Sequence, residues 1–461
     1  MLDFKNKKIT IIGLGLHGGG LGVTKFLAQQ GAQLTVTDLK NAKQLKSSIK
    51  QLKKYKINYV LGQHRLEDFT KAEMVIKNPG VRRDSKYLLK AQQNKIPIET
   101  DLSLFFQLCP SQEIIGITGT KGKSTTTSLI YKIVKAHKKD AILGGNIRVS
   151  PLDFLKKIKR KTPVILELSS WQLEGLGARQ LSPKYAVVTN VLVDHLNTYK
   201  NMADYAQAKS LIFKNQKPTD ILILNKENSQ TRQMAKSAKA KVFWYSLEKL
   251  SNNENGAYLD KNWIIYKYKK LKINVINIKD IKLKGEHNLL NILAAVCLTK
   301  ILSIPTNIIK KEIKNFSGID YRLQLVREYK GVKYYNDTTA TTPDAVTAAL
   351  NSFKQKVVLL AGGTDKKLNF KDLAKVIKQK VRALILFEGT ATEKLIKELK
   401  KINFNQDLIF VDSMPEAFKQ AKYILKAGDI FLLSPGAASF GLFINEFDRG
   451  DQFNQEVKKI K

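Results

Sequence analysis

An α/β protein with parallel sheets covered by helices is what the sequence predicts, on three observations. Short β-branched runs alternate with helical stretches almost throughout the chain. Two of these runs lead straight into glycine-rich turns that open helices, the junction at which backbone N–H groups collect phosphates. The 461 residues are enough, at roughly 150 per domain, for about three domains with their own cores.

The first domain is expected over residues 1–105. A strand at 8–12 meets a glycine turn, a helix follows around 23–30, and a second strand at 33–37 closes in Asp38. The central domain, 106–315, opens with a strand at 113–118 and continues through strands at 163–168, 185–189 and 221–224. Between 243 and 280 the sequence turns polar and irregular, and Asn255-Gly256 with alternating tyrosines suggests a small antiparallel excursion. The third domain, 316–461, starts near Phe316-Ser317-Gly318 and carries strands at 357–360, 383–387, 408–411 and 430–433.

The first glycine turn, Gly13-Leu14-Gly15-Leu16-His17-Gly18, lies between a strand and a helix, and Asp38 closes the next strand twenty residues on. Glycines there let the backbone approach a diphosphate, and a carboxylate at the end of the second strand accepts from a ribose or base. Any nucleotide diphosphate suits this pattern. A nucleotide-linked substrate is the leading reading, with NAD or FAD, or a purely structural turn, as alternatives.

The second turn carries more information. Ile114-Ile115-Gly116-Ile117-Thr118-Gly119-Thr120-Lys121-Gly122-Lys123-Ser124-Thr125-Thr126 runs off a strand into an aliphatic helix. Amides from Gly119 to Thr125 can cradle phosphates, Lys123 can neutralise the β/γ oxygens, and the Ser124 hydroxyl can ligate Mg²⁺. It departs from the general P-loop in having Ile117 where the first glycine usually stands. Later strands end in matching groups: Glu167 at one strand end, and Asp194-His195 just after another. Oxygen donors with an imidazole nearby suit Mg²⁺ better than zinc.

In order along the chain, Gly-Thr-Lys-Gly-Lys-Ser (119–124), Gly144-Gly145-Asn146-Ile147, Glu-Leu-Ser-Ser-Trp-Gln-Leu-Glu (167–174), Asn-Val-Leu-Val-Asp-His-Leu (190–196) and Tyr205-Ala206-Gln207-Ala208-Lys209 resemble the Mur ligases, ATP-dependent amide-forming enzymes of peptidoglycan synthesis. The series extends through Gly285-Glu286-His287-Asn288-Leu289-Leu290-Asn291, Tyr321-Arg322, Asn336-Asp337, Ser434-Pro435-Gly436 and Arg449-Gly450, so the resemblance covers nearly the whole chain.

The resemblance implies a Rossmann-like domain for a uridine-diphosphate substrate, a central ATPase and a C-terminal dinucleotide-fold domain. Gly15, Asp38, Asn78 and Gly80 would hold the uridine diphosphate, with Asn146, Ser169 and Gln172 completing the acceptor site. Lys123, Ser124 and Glu167 would handle ATP and one Mg²⁺. His195 and Lys209 would serve a second, with Lys209 at the position of the family's carbamoylated lysine. His287 and Asn291 would meet adenine, and Arg322 and Asp337 the ribose and phosphates. Lys366 would pair with a carboxylate of the incoming amino acid, helped by hydroxyls of Thr341 and Ser439.

The implied substrates are UDP-N-acetylmuramoyl-L-alanine, D-glutamate and ATP, joined through an acyl phosphate. Ligation of L-glutamate, another Mur-type or folylpolyglutamate-type acceptor, and more remotely an NAD(P)-dependent dehydrogenase, are the alternatives. Departures fall in the amino-acid pocket, where Thr339 replaces a lysine and Glu446 an aromatic residue of the family pattern.

Composition narrows the rest. With 79 Lys plus Arg against 40 Asp plus Glu, the formal charge of +39 invites a nucleic-acid reading. The lysines are spread through every region beside apolar residues at helix or strand spacing, as solvated faces are. No Cys/His finger, RNP-type box or basic zipper accompanies them, so nucleic acid is not expected as the primary partner. No apolar run approaches the ~20 residues that span a bilayer. The two cysteines, Cys109 and Cys297, have neither metal-site spacing nor the number for a disulfide framework. A cytoplasmic monomer without a cleavable signal is the expectation.

Overall fold

The computed structural model describes residues 2–15, 18–147, 149–194, 198–283, 285–365, 368–406, 408–439 and 441–460. The chain forms two compact units, Met1–Phe316 and Ser317–Lys461. The first unit contains two sheets and the second contains one.

The first sheet is wholly parallel: β1 (Lys8–Ile12), β2 (Gln33–Asp38), β3 (Ile57–Leu61), β4 (Met74–Lys77) and β5 (Ile98–Glu99), in the order β3-β2-β1-β4-β5. Strands β1 and β4 are almost fully buried because helices cover both faces. The chain winds outward in opposite directions from β1, so the crevice for a ligand opens at the carboxyl ends of β1 and β4. Gly13 and Asn78 stand there.

The second sheet has nine strands: β6 (Ile114–Thr118), β7 (Ile142–Gly145), β8 (Val164–Glu167), β9 (Tyr185–Val188), β10 (Ile221–Asn225), β11 (Lys241–Ser246), β12 (Gly256–Asp260), β13 (Trp263–Tyr268) and β14 (Leu271–Asn277). Their order is β14-β13-β12-β11-β10-β9-β6-β8-β7, parallel up to β12 and antiparallel from β12 to β14. The antiparallel excursion is therefore present. Its turns fall at Lys261 and Lys269, both at positive φ, whereas Asn255-Gly256 links β11 to the parallel β12 and makes no hairpin. Helices Lys123–His137 and Glu286–Ile301 share one core over the sheet, including Leu129, Ile133, Leu293 and Val296. The helix Ser170–Ala178 packs toward the first sheet, where Arg179 reaches the buried Glu99 at 2.8 Å.

The second unit holds β15 (Gln324–Tyr329), β16 (Val332–Asn336), β17 (Val357–Gly362), β18 (Val381–Phe387), β19 (Leu408–Val411) and β20 (Ile430–Leu433), ordered β15-β16-β20-β17-β18-β19. Only the β15–β16 pair is antiparallel. Its loop, Lys330-Gly331, has φ of 48° and 77°, the two positive values that a twisted two-residue hairpin requires.

Candidate active site

The phosphate loop begins where β6 ends, and two glycines allow its path. Gly119 and Gly122 have φ of 148° and 83°, and a Cβ on Gly119 would collide with the Thr189 hydroxyl, one on Gly122 with the Asn291 amide. The loop is latched by the segment leaving β9. Thr120 N–H donates to the Asn190 carbonyl at 2.9 Å and Lys121 N–H to Asn190 Oδ1 at 2.9 Å, while the Thr189 hydroxyl donates to the Lys121 carbonyl at 2.6 Å. The helix Lys123–His137 then starts at Gly122, so its first N–H groups face the loop mouth with the positive end of the helix dipole.

Two lysines close on the loop from different helices. Lys123 Nζ donates to the carbonyls of Gly119 and Thr120 at 2.8 and 3.0 Å, and Lys209 Nζ donates to the same Gly119 carbonyl at 2.9 Å. Lys209 is 1% exposed and its ammonium lies 4.5 Å from the centre of the Tyr205 ring. Burial pushes its pKa down to about 7, the Lys123 charge adds to the shift, and Asp194 opposes it.

Glu167, the last residue of β8, is buried at the same carboxyl edge. Its Oε1 accepts from the Asn146 amide at 2.8 Å, and its Oε2 is buried with no hydrogen-bond partner among the described residues. An orphaned carboxylate oxygen is an acceptor awaiting a donor or a cation. Among the described residues no three His, Cys, Asp or Glu side chains converge as a preformed metal cage. Mg²⁺ suits such a place, since it is commonly held by one or two carboxylates plus substrate phosphates.

At the first sheet's edge, Asp38 is turned inward: its carboxylate accepts from Gly15 N–H at 3.0 Å and Lys40 N–H at 2.9 Å. Asn78 donates to the Gly13 carbonyl at 3.0 Å and accepts from Gly80 N–H at 3.3 Å. Both residues shape the glycine turn.

In the second unit, Asp337 is buried and accepts from the Ser434 hydroxyl at 2.8 Å and from Leu323 N–H at 3.0 Å. Burial raises its pKa to about 6, against hydrogen bonds from Ser434 and Leu323 and the charge of Arg322. The fully buried Arg449 donates to the Thr338 hydroxyl and carbonyl, each at 3.0 Å, and so holds the segment after β16.

Comparison with known proteins identifies the family. Models of the Mur ligase MurD-like N-terminal domain, the Mur ligase middle domain, and the Mur ligase glutamate ligase domain match residues 7–100, 117–299 and 321–436. A UDP-N-acetylmuramoylalanine--D-glutamate ligase of Roseiflexus sp. (strain RS-1) is 41% identical over 466 residues, covering 100% of both chains. The chain belongs to the Mur ligase family.

A second relative of that name, from Borreliella afzelii, is 40% identical over 99% of both chains. Among solved structures, the UDP-N-acetylmuramate-alanine ligase MurC of Thermotoga maritima matches with a TM-score of 0.55 at 21% identity, covering 99% of this chain and 100% of that one. MurF of Acinetobacter baumannii matches at 0.56 and 12% identity, over 98% and 94%. The fold is thus that of the Mur ligases, three domains of α/β type with largely parallel sheets.

The structure of this Mur ligase gathers Gly119 to Thr125, Lys123, Lys209 and Asn291 at the phosphate loop, and Asn146 with Glu167 at the end of β8. Asn291 accepts from the Thr126 hydroxyl at 3.2 Å, while His287 is exposed in the first turn of its helix. Ser169 and Gln172 bind each other in a capping box at the start of helix Ser170–Ala178, so both serve the helix. Thr341 and Ser439 belong to the second unit, where Ser439 is buried and Thr341 half-buried. Thr339 donates its hydroxyl to the Tyr321 carbonyl at 2.8 Å. His195 and Lys366 lie outside the described residues.

Sequence reasoning gave no role to Thr189 and Asn190, the latch of the phosphate loop, nor to Tyr205 and Arg449, which brace site segments. Only the position of Thr189-Asn190 directly after a core strand could have pointed to the latch.

Proposed function

We propose that this Mur ligase joins D-glutamate to UDP-N-acetylmuramoyl-L-alanine at the expense of ATP; the acceptor and D-glutamate are the substrates that the names of its relatives give for those proteins. The observation that carries the chemistry is the convergence of Lys123 and Lys209 on the phosphate loop beside strand ends bearing Glu167 and Asn146.

The acceptor's carboxylate oxygen attacks the γ-phosphorus of ATP, ADP leaves, and an acyl phosphate remains. The amine of glutamate then attacks the acyl carbon, loses a proton, and phosphate departs with the attacking oxygen. The helix N-terminus and Lys123 hold the phosphates, and Lys123 stabilises charge on the transferring group. The carboxyl edge of the first sheet, with its glycine turn braced by Asp38 and Asn78, takes the uridine diphosphate.

Mg²⁺, when bound, neutralises phosphate charge and polarises the γ-phosphoryl group. Ser124 and Glu167 would hold one ion, and His195 with a carbamoylated Lys209 a second. The unpartnered Glu167 oxygen fits the first. The lowered pKa of Lys209 fits the carbamate, because a neutral amine adds to CO₂ with release of a proton. His287 and Asn291 would face adenine, Arg322 and Asp337 the ribose and phosphates, and Lys366, Thr341 and Ser439 the glutamate.

The domain limits 1–105, 106–315 and 316–461 separate these three roles. The enzyme is read as a cytoplasmic monomer acting on small molecules. Among the described residues no helix is long and apolar enough to cross a membrane, and both cysteines are free thiols.

An amino-acid panel with UDP-N-acetylmuramoyl-L-alanine, ATP and Mg²⁺ tests the reading by product mass and chirality. D-Glutamyl product with stoichiometric phosphate is expected. Preference for L-glutamate or glutamine, or no amide at all, overturns it.

A further inference from the structure

Among the described residues three lysines are nine-tenths or more buried: Lys77, Lys209 and Lys267. Lys209 donates to the Gly119 carbonyl, and Lys267 to the carbonyls of Ser251 and Asn252. Lys77, the last residue of β4, is 8% exposed and makes no side-chain hydrogen bond and no ion pair within 4 Å among the described residues. Burial lowers its pKa; the Glu174 charge opposes that shift and Arg83 adds to it.

Lys77 lines a cavity of about 360 Å³ with the turn carrying Gly80, Arg82 and Arg83 and with Trp171, Glu174 and Tyr199. That volume is within the range of small-molecule sites. The neighbouring arginines already have partners: Arg82 forms a forked pair with Asp84 at 2.9 and 2.7 Å, and Arg83 reaches Asp204 at 3.2 Å and Glu174 at 4.0 Å. The Tyr199 hydroxyl is buried without a well-formed hydrogen bond, near Ser170 and Glu174.

A buried ammonium lacking a direct partner destabilises a fold, and a methionine would fill this strand end without that penalty. The placement gives the cation a use. Gly80 connects the cavity to the glycine turn of the first sheet through Asn78, and the Tyr199 ring lies 5.2 Å from Tyr205, which in turn contacts Lys209. The cavity therefore lies along the wall between the two sheet edges. A substrate with its diphosphate at the first edge and its carboxylate at the phosphate loop would have this cavity beside it.

We infer that Lys77 binds an anionic oxygen of the acceptor substrate in this cavity, from either its diphosphate or its alanyl carboxylate. The inference rests on the ligase reading above. Lys77 is the partner that this anion meets when it leaves water, and the anion in turn completes the lysine's burial.

The test compares Lys77→Met and Lys77→Arg with wild type. Lys77→Met is expected to melt at or above the wild-type temperature, to raise KM for UDP-N-acetylmuramoyl-L-alanine at least tenfold, and to leave KM for ATP and glutamate unchanged. Lys77→Arg restores part of the loss. Calorimetry with UDP-N-acetylglucosamine, which has the diphosphate without the carboxylate, and N-acetylmuramoyl-L-alanine, which has the reverse, assigns the oxygen by whichever loses affinity in Lys77→Met. Lower melting with all three KM values rising together would mark Lys77 as a structural partner of Glu174 and overturn the inference. Normal wild-type turnover with an unaltered acceptor KM in Lys77→Met overturns the inference alone. A wild-type enzyme that neither binds nor consumes the acceptor overturns the ligase reading, and this inference with it.

Discussion

Lys123 and Lys209 donate to one and the same carbonyl oxygen, that of Gly119, at 2.8 and 2.9 Å. Two cations sharing one acceptor in a buried place repel each other, and the more buried one holds its proton less tightly. The loop is thereby held in shape by groups that a phosphate or a carbamate would rearrange.

Lys209 binds its proton less tightly in the folded than in the unfolded chain, with a pKa near 7 against 10.5. Stability should therefore rise with pH between about 7 and 10.5, and the penalty is complete below about 7. In CO₂-depleted buffer Lys209→Met should be more stable than wild type by roughly 2–5 kcal/mol at pH 6.5, an advantage that fades by pH 10. Thermal melts across that range check it. Lys209→Ala should lose turnover, partly restored by added short carboxylates that occupy the space its truncation vacates.

Lys123→Ala should keep the fold and lose activity by roughly 3 kcal/mol of transition-state stabilisation, a factor of about 10²–10³ in kcat. Steady-state kinetics beside a melting curve separates lost chemistry from lost structure. Near-normal turnover would remove Lys123 from the phosphate site.

Gly122→Ala meets two obstacles, the Asn291 amide and a φ of 83°. Adding Asn291→Ala should relieve the collision but leave the backbone strain, about 1–2 kcal/mol for an L residue in this region. A double-mutant cycle in denaturant should show this partial rescue of stability. Full rescue would place the whole cost in the side-chain clash.

Asp337 binds its proton more tightly when folded, with a pKa of about 6 against 3.8. Its contribution is favourable below about 4 and is lost as pH rises through 6. Asp337→Asn keeps an acceptor for Leu323 N–H and a hydrogen-bonding group for Ser434. The second unit should then be stabilised by about 1–3 kcal/mol at pH 7.5 and unchanged at pH 4, as pH-dependent unfolding would show.

The strands that the sequence revealed are those whose signal is local. β1, β6 and β17 are aliphatic runs that end at glycine, and they stand where expected. β7 escaped because half of it is glycine, β5 because it is two residues long, and β4 because its terminal lysine resembles a surface residue. The antiparallel turns were misplaced because Lys261 and Lys269 adopt the left-handed conformation that composition assigns to Asn-Gly. The site divides in the same way. Gly119 to Ser124 is a contiguous motif, legible in one dimension. The Ser169–Gln172 capping box is equally local, a Ser-x-x-Gln pattern ahead of a helix, whereas the Thr189–Asn190 latch and the buried Lys77 without a direct partner arise from segments brought together only by folding.

The central claim is that the phosphate loop activates a carboxylate of the acceptor as an acyl phosphate. Acceptor labelled with ¹⁸O in its alanyl carboxylate tests it most directly, with the released phosphate analysed by mass spectrometry. The account predicts one ¹⁸O in each phosphate formed per amide bond. Amide formation with unlabelled phosphate would contradict it.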